Sequence, residues 1–84
     1  MDVRTRVGRN VRRARAAAGL SQEELAFRCG LDRTYVSGIE RGVRNPTVVV
    51  LERLARALGV AAAELLAVAE QRPAAGAPPV VPKR

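Results

Sequence analysis

Side chains able to do chemistry are few in this 84-residue chain, and their types exclude most reactions. There is no histidine and one cysteine, Cys29, and the eight acids are scattered along the chain. Neither a proton-transfer pair nor a metal-ligand set stands at usable spacing, so no catalysis, cofactor or metal is expected. What the chain does carry is hydrogen-bond donors. Of its fifteen basic residues all but Lys83 are arginine, whose planar fork suits phosphate and guanine. A GC-rich genome would enrich arginine equally well. The donors are best organised in "LDRTYVSGIERG", Leu31 to Gly42, where Arg33, Thr34, Tyr35, Ser37 and Arg41 fall within nine positions.

The element that must position them is a short helix, Arg33 to Arg41, capped by Asp32 and stopped by Gly42. At 100° per residue, Val36, Ile39 and Glu40 share the inner side. Thr34, Gly38 and Arg41 lie opposite, with Arg33, Tyr35 and Ser37 on the flanks. The outward face is short, polar and free of acids, which fits the major groove of a duplex, with the N-terminal residues reaching base edges first. Tyr35 suits either a thymine-methyl or phosphate contact or packing toward the next helix. Gly38 costs roughly 1 kcal/mol relative to alanine in a helix interior. Its place at the middle of the outward face suggests close approach of the backbone to DNA; a tolerated small residue at an unread position is the plain alternative.

Four glycines, Gly19, Gly30, Gly42 and Gly59, each follow an amphipathic segment as a helix-terminating residue does. The first segment, Val3 to Ala18, places Val7, Val11, Ala14 and Ala18 on one stripe. Arg6, Arg9, Arg12 and Arg13 lie on its far side. Arg15 sits at the edge of the stripe and, partly buried, needs a carboxylate partner. The second segment, Gln22 to Cys29, opens with the capping box "SQEE" and turns Leu25, Ala26 and Cys29 inward. Cys29 reads as a small core hydrophobe. The segment before Gly59 runs from Val48 to Leu58, capped by Thr47, with Val48, Leu51, Leu54, Ala55 and Leu58 inward. A fifth helix is expected over Ala61 to Arg72, without a good N-cap. Residues 73–84, holding four of the five prolines, read as a disordered tail. The expectation is an all-α, five-helix bundle forming one domain over residues 1–72, with no strands. Its second and third helices, joined by Gly30-Leu31-Asp32, make a helix-turn-helix.

Net charge is +7, of which residues 1–20 contribute +5, from six arginines against Asp2. Such an excess favours a polyanionic partner, nucleic acid first. A single cysteine, the lack of a signal-like run and the lack of any stretch of roughly 20 apolar residues point to the cytoplasm and away from a membrane.

The run "VRRARAAAGLSQEELAFRCGLDRTYVSGIERGVRNPTVVVLERLARALGV" resembles the phage-repressor and Cro-like (XRE) helix-turn-helix family. The pieces are Arg15, Gly19-Leu20-Ser21-Gln22, Leu25-Ala26, Gly30-Leu31, Ile39-Glu40-Arg41-Gly42, Pro46 and Leu51. The resemblance implies a repressor-like five-helix bundle acting as a homodimer on a palindromic duplex site. It implies base reading by Arg33, Thr34, Tyr35, Ser37 and Gly38, a phosphate or base contact by Gln22, and backbone contacts by Arg44, Asn45 and Thr47. Ser21 and Arg41 join the phosphate set. It also implies an internal ion pair between Arg15 and Glu40, in keeping with the half-buried Arg15 and inward Glu40 of the wheel. Many relatives carry a larger polar residue at the position of Gly38, and a polar cap where this chain has Ala61.

Within the family, "LDRTYVSGIERGVRN" is most similar to the controller proteins of restriction–modification systems. The expected function is a cytoplasmic, duplex-binding transcriptional regulator, with RNA polymerase a partner if it activates. The alternative is an antitoxin-type interaction module in which DNA binding is secondary. Val49, Val50, Leu65, Leu66 and Val68 are the expected dimer surface, because Val49 and Val50 are apolar beyond what the inner stripe of their helix uses.

Overall fold

Every helix starts where a specific group answers its free N–H donors. In the computed structural model, which describes residues 1–68, there are five: α1 (Val3–Ala17), α2 (Gln22–Cys29), α3 (Arg33–Glu40), α4 (Val48–Leu58) and α5 (Ala62–Leu66). Asp2 caps α1 by accepting from the Arg4 N–H at 2.7 Å, and Asp32 caps α3 through Thr34 N–H at 2.7 Å. Ser21 and Glu24 close a reciprocal capping box, each side chain accepting from the other's backbone N–H at 3.0 Å. Thr47 Oγ1 accepts from Val50 N–H at 3.1 Å to start α4. Alanine at position 61 offers no cap, and Glu64 substitutes by reaching back to the Ala61 N–H at 3.1 Å.

The four glycines that follow helices all take positive φ, between 67° and 76°. Gly30 matters most, because it makes the bend between α2 and α3. Its left-handed backbone lets Leu31 N–H return to Ala26 C=O at 2.9 Å and brings Leu31 back against the core.

The helices bury one aliphatic core. Val11, Leu25, Val36, Ile39, Leu54 and Leu65 are its most fully enclosed large side chains. The helix α1 packs on α3 and α5, α2 on α3 and α4, and α4 on α5. Cys29 is buried, its thiol donating weakly to Arg53 C=O at 3.7 Å, and burial pushes its pKa up. Phe27 is 86% exposed, so no phenylalanine takes part in the core.

Two seams of α1 carry more than apolar contact. A Cβ on Gly8 would stand 2.7 Å from Glu40 C=O, so only glycine lets α1 come this close to the end of α3. Asn10 is buried and its Nδ2 donates to Leu65 C=O at 2.9 Å and to Ala67 C=O at 2.8 Å. Arg6 Nε adds a bond to Leu66 C=O at 2.9 Å. The last carbonyls of α5, which lacks a C-terminal glycine, are therefore taken up by α1 side chains.

These contacts correct three expectations. The fifth helix stops at Leu66, not Arg72, because Asn10 and Arg6 engage its final carbonyls and Ala67 turns extended. Val48 is 79% exposed rather than inward: at the first position of α4 it precedes the buried stripe, which begins at Leu51. Ala18 is exposed where the chain leaves α1. The Pro-rich tail expected over 73–84 lies outside the described residues. Among the described residues no helix is long and apolar enough to cross a membrane.

Candidate nucleic-acid interface

The donor-bearing residues of α3 are held in place from beneath. Val36 and Ile39 anchor the helix in the core, and Glu40 fastens its end to α1. Arg15 grips Glu40 with both prongs, Nε to Oε2 at 2.6 Å and Nη2 to Oε1 at 2.9 Å. Its third nitrogen, Nη1, donates to Leu20 C=O at 2.9 Å. The Glu40 carboxylate, by its hydrogen bonds first, raises the Arg15 pKa still further, so the guanidinium stays charged. Gln22 Nε2 donates to Glu40 Oε1 at 3.1 Å, tying the start of α2 into the same network. Glu40 thus holds α1, α2 and α3 in one arrangement, and it does not face a ligand.

Above this network the starts of α2 and α3 converge. Ser21, Gln22 and Glu23 border one open depression together with Arg15 and Arg33. Arg33 and Thr34 are exposed at the N-terminus of α3, and Arg33 has no ion-pair partner among the described residues. Of the two hydrogens on Gln22 Nε2, one is used by Glu40, leaving the other for a ligand. Ser21 and Thr47 already use their side-chain oxygens as helix caps, so toward a phosphate they have hydroxyl hydrogens to give.

At the other end of α3 the chain folds back. Val43 N–H and Arg44 N–H both donate to Gly38 C=O, at 3.0 and 3.2 Å. The Arg44 guanidinium then lies 6.0 Å from the centre of the Tyr35 ring, at the outer reach of a cation–π contact. Tyr35 is half-buried and packs against the core, which is the packing role weighed for it. Arg41 and Asn45 are exposed, and Ser37 is half-buried.

Gly38 is where the structure departs from the helical wheel. It is buried, not at the centre of an open face. The wheel treats the helix as isolated; here the segment after Gly42 covers it. A Cβ at Gly38 would stand 2.5 Å from Arg44 Cγ and 3.5 Å from Val43 Cγ2. Among the residues expected at a dimer surface, Leu65 is in the core, because α5 turns it toward α1 and α4. Val49 and Leu66 are exposed, at 61% and 41%, and Val50 and Val68 are half-buried.

Sequence reasoning missed Asn10 and Gly8, whose parts depend on carbonyls far along the chain, and missed that Arg44 returns over Gly38. Among the described residues no group of three or more His, Cys, Asp or Glu could hold a metal ion.

Comparison with known proteins agrees with this architecture. A helix-turn-helix family model (HTH_3) matches residues 11–65. The chain is 48% identical over 73 residues to an HTH-type transcriptional regulator, y4dJ, of Sinorhizobium fredii, spanning 87% of this chain and 95% of that one. It is 46% identical over 66 residues to the control protein C.BamHI of Bacillus amyloliquefaciens, spanning 77% and 82%. Among solved structures, the restriction–modification controller protein C.AhdI of Aeromonas hydrophila superposes with a TM-score of 0.72 at 50% identity, over 74% of this chain and 94% of that one. With α2, the Gly30 turn and α3 in place and these likenesses covering most of its length, the chain belongs to the helix-turn-helix (HTH_3, XRE-type) family and is a DNA-binding transcriptional regulator, not an enzyme.

Proposed function

We propose that this chain acts in the cytoplasm as a homodimeric controller of a restriction–modification system, binding a palindromic operator with one α3 in each of two successive major grooves. The observation that carries the reading is the convergence of two helix N-termini, α2 through Ser21, Gln22 and Glu23 and α3 through Arg33, on one open depression. Helix N-termini favour anions, and the arginine at the start of α3 has its fork free for a base edge or a phosphate. Arg33, Thr34, Tyr35 and Ser37 are the base-reading set. Gln22, Arg41, Arg44, Asn45 and the hydroxyls of Ser21 and Thr47 serve the backbone. Likeness to two proteins described as controllers supports the restriction–modification assignment.

The test is selection of duplexes from a randomised pool by the purified chain. The reading expects an inverted repeat whose half-sites lie roughly 34 Å apart, one helical turn. Enrichment of a single, non-repeated site, or of none, would overturn it. A neighbouring nuclease and methyltransferase gene pair supports the controller assignment. A toxin gene in that place supports an antitoxin instead.

A further inference from the structure

The covered position of Gly38 has a use. We infer that Gly38 is a positioning residue for Arg44: its missing side chain is the seat on which the Arg44 stem lies, so that the guanidinium is held over Tyr35 before any ligand arrives. The inference rests on the DNA-binding reading for its purpose, but not for its geometry.

Three observations place the seat. The Gly38 carbonyl accepts from the backbone N–H groups of both Val43 and Arg44, fixing where the returning strand crosses α3. The nearest atom to an added Cβ is Arg44 Cγ, in the middle of the side chain rather than at its mobile end. Any residue but glycine must therefore shift the whole stem. Further along that stem the guanidinium lies over the Tyr35 ring, 6.0 Å from its centre, one turn of α3 before Gly38. The far side of the loop is held as well. Gly42 packs against α1, where an added Cβ would lie 3.0 Å from Thr5 Oγ1 and 3.2 Å from Thr5 Cα. Arg44 thus leaves a braced loop in one direction.

The consequence is energetic. A free arginine has roughly 2 kcal/mol of rotamer entropy to lose when it is immobilised on a ligand. Holding Arg44 in place beforehand lowers that cost of binding, the general basis of preorganisation. It also couples Arg44 to Tyr35, so a base or phosphate approaching the loop meets the two as a unit. The helix gives up the propensity that alanine would supply at position 38, because alanine there would unseat the arginine.

The chain suits a direct test, since Tyr35 is its only tyrosine and it has no tryptophan. In NMR spectra of the free protein, Gly38→Ala and Arg44→Ala should move the Tyr35 ring resonances in the same direction, and the double variant should move them no further than Arg44→Ala alone. Unmoved ring resonances in either single variant overturn the seat. In binding to a duplex recovered by the wild-type chain from a randomised pool, Gly38→Ala should weaken affinity about tenfold in the presence of Arg44, about the value of one charge-assisted contact, and not at all in the Arg44→Ala background. Equal losses in both backgrounds mean that Gly38 acts through the helix itself, and overturn the inference. Should Gly38→Ala fail to fold, adding Arg44→Ala removes the clashing Cγ and should restore folding; a double variant that also fails refutes the seat. If the wild-type chain recovers no duplex, the DNA-binding reading falls while the ring resonances still decide the seat.

Discussion

Arg15 and Glu40, on different helices and twenty-five residues apart, form a two-pronged ion pair, with N–O distances of 2.6 and 2.9 Å. The Glu40 side chain is 3% exposed, and Gln22 and Arg15 are its hydrogen-bond donors. The pair stands behind the side of α3 proposed to face DNA. Its geometry decides how α3 is presented relative to the start of α2. The worth of such a pair lies in what happens when one half is removed, because the other is left charged and without its partner.

Arg15→Ala should accordingly destabilise the fold by about 3 kcal/mol, with Gln22 giving Glu40 only partial relief. Urea denaturation measures this directly. Exchanging both partners, Arg15→Met with Glu40→Leu, should recover most of the loss. A single variant that unfolds at the wild-type midpoint would show the pair to be energetically idle.

Stability should fall in acid through the helix caps. Asp2, Glu24 and Asp32 have pKa values held below their ordinary range: Asp2 chiefly by its hydrogen bond from the Arg4 side chain, Glu24 by the Ser21 backbone N–H, and Asp32 by the Thr34 N–H. A carboxylate whose folded pKa is depressed contributes stability that is complete above its unfolded value and is lost as pH falls through the folded one. Ordinary values are 3.8 for the two aspartates and 4.5 for the glutamate, so the melting temperature should begin to drop below that range. Asparagine at position 32 still caps but does not titrate. The Asp32→Asn variant should show a shallower acid limb than wild type in melts recorded across pH, and an unchanged limb removes Asp32 from the account.

The helices and the turn were legible because their signals are local. A serine three residues before a glutamate, an aspartate two before a threonine, and a glycine after each amphipathic run need no knowledge of the rest of the chain. The apolar stripes of α2 and α3 were legible for the same reason. Asn10 was not, since its purpose is a pair of carbonyls more than fifty residues away. Gly8 is small only because α3 ends against it. A wheel put Gly38 at the centre of an open face because it could not know that Val43 and Arg44 return over it. Val48 fits the helical period yet is exposed, because at the first position of α4 it lies beyond the buried stripe that begins at Leu51. What the sequence hid is tertiary approach: where one backbone runs close to another, and which carbonyl a buried amide reaches.

Arg33 and Arg44 should separate by the kind of contact they make. Arg33→Ala should cost ~1–3 kcal/mol on the selected operator and relax preference at one base position. Arg44→Ala should weaken binding to every duplex and lower the slope of log K against log salt by about one. Binding titrations at several salt concentrations, on the operator and on singly substituted sites, read both. A loss from Arg33→Ala that is equal across all sequences would make Arg33 a phosphate contact. An unchanged slope for Arg44→Ala would take it off the backbone.

Self-association is testable on two side chains that the fold leaves uncovered. Val49 is 61% exposed on α4 and Leu66 41% exposed at the end of α5. Val48 and Val49 border a shallow depression with Glu52, Arg53 and Arg56, so the apolar surface has a charged rim, as interfaces commonly do. Leu65 does not belong to this surface, because replacing it would open the core. Val49→Asp and Leu66→Asp each place a charge on the exposed side without touching the buried stripe. Each should shift sedimentation equilibrium from dimer toward monomer, by at least about tenfold in the dissociation constant, if its side chain is desolvated at the interface. Helical circular dichroism should stay at the wild-type level, since neither residue supports the monomer's core. Both effects are needed together. Unchanged association with intact helicity would take the proposed dimer contact off these two residues, and lost helicity would mean that the substituted residue holds up the monomer itself.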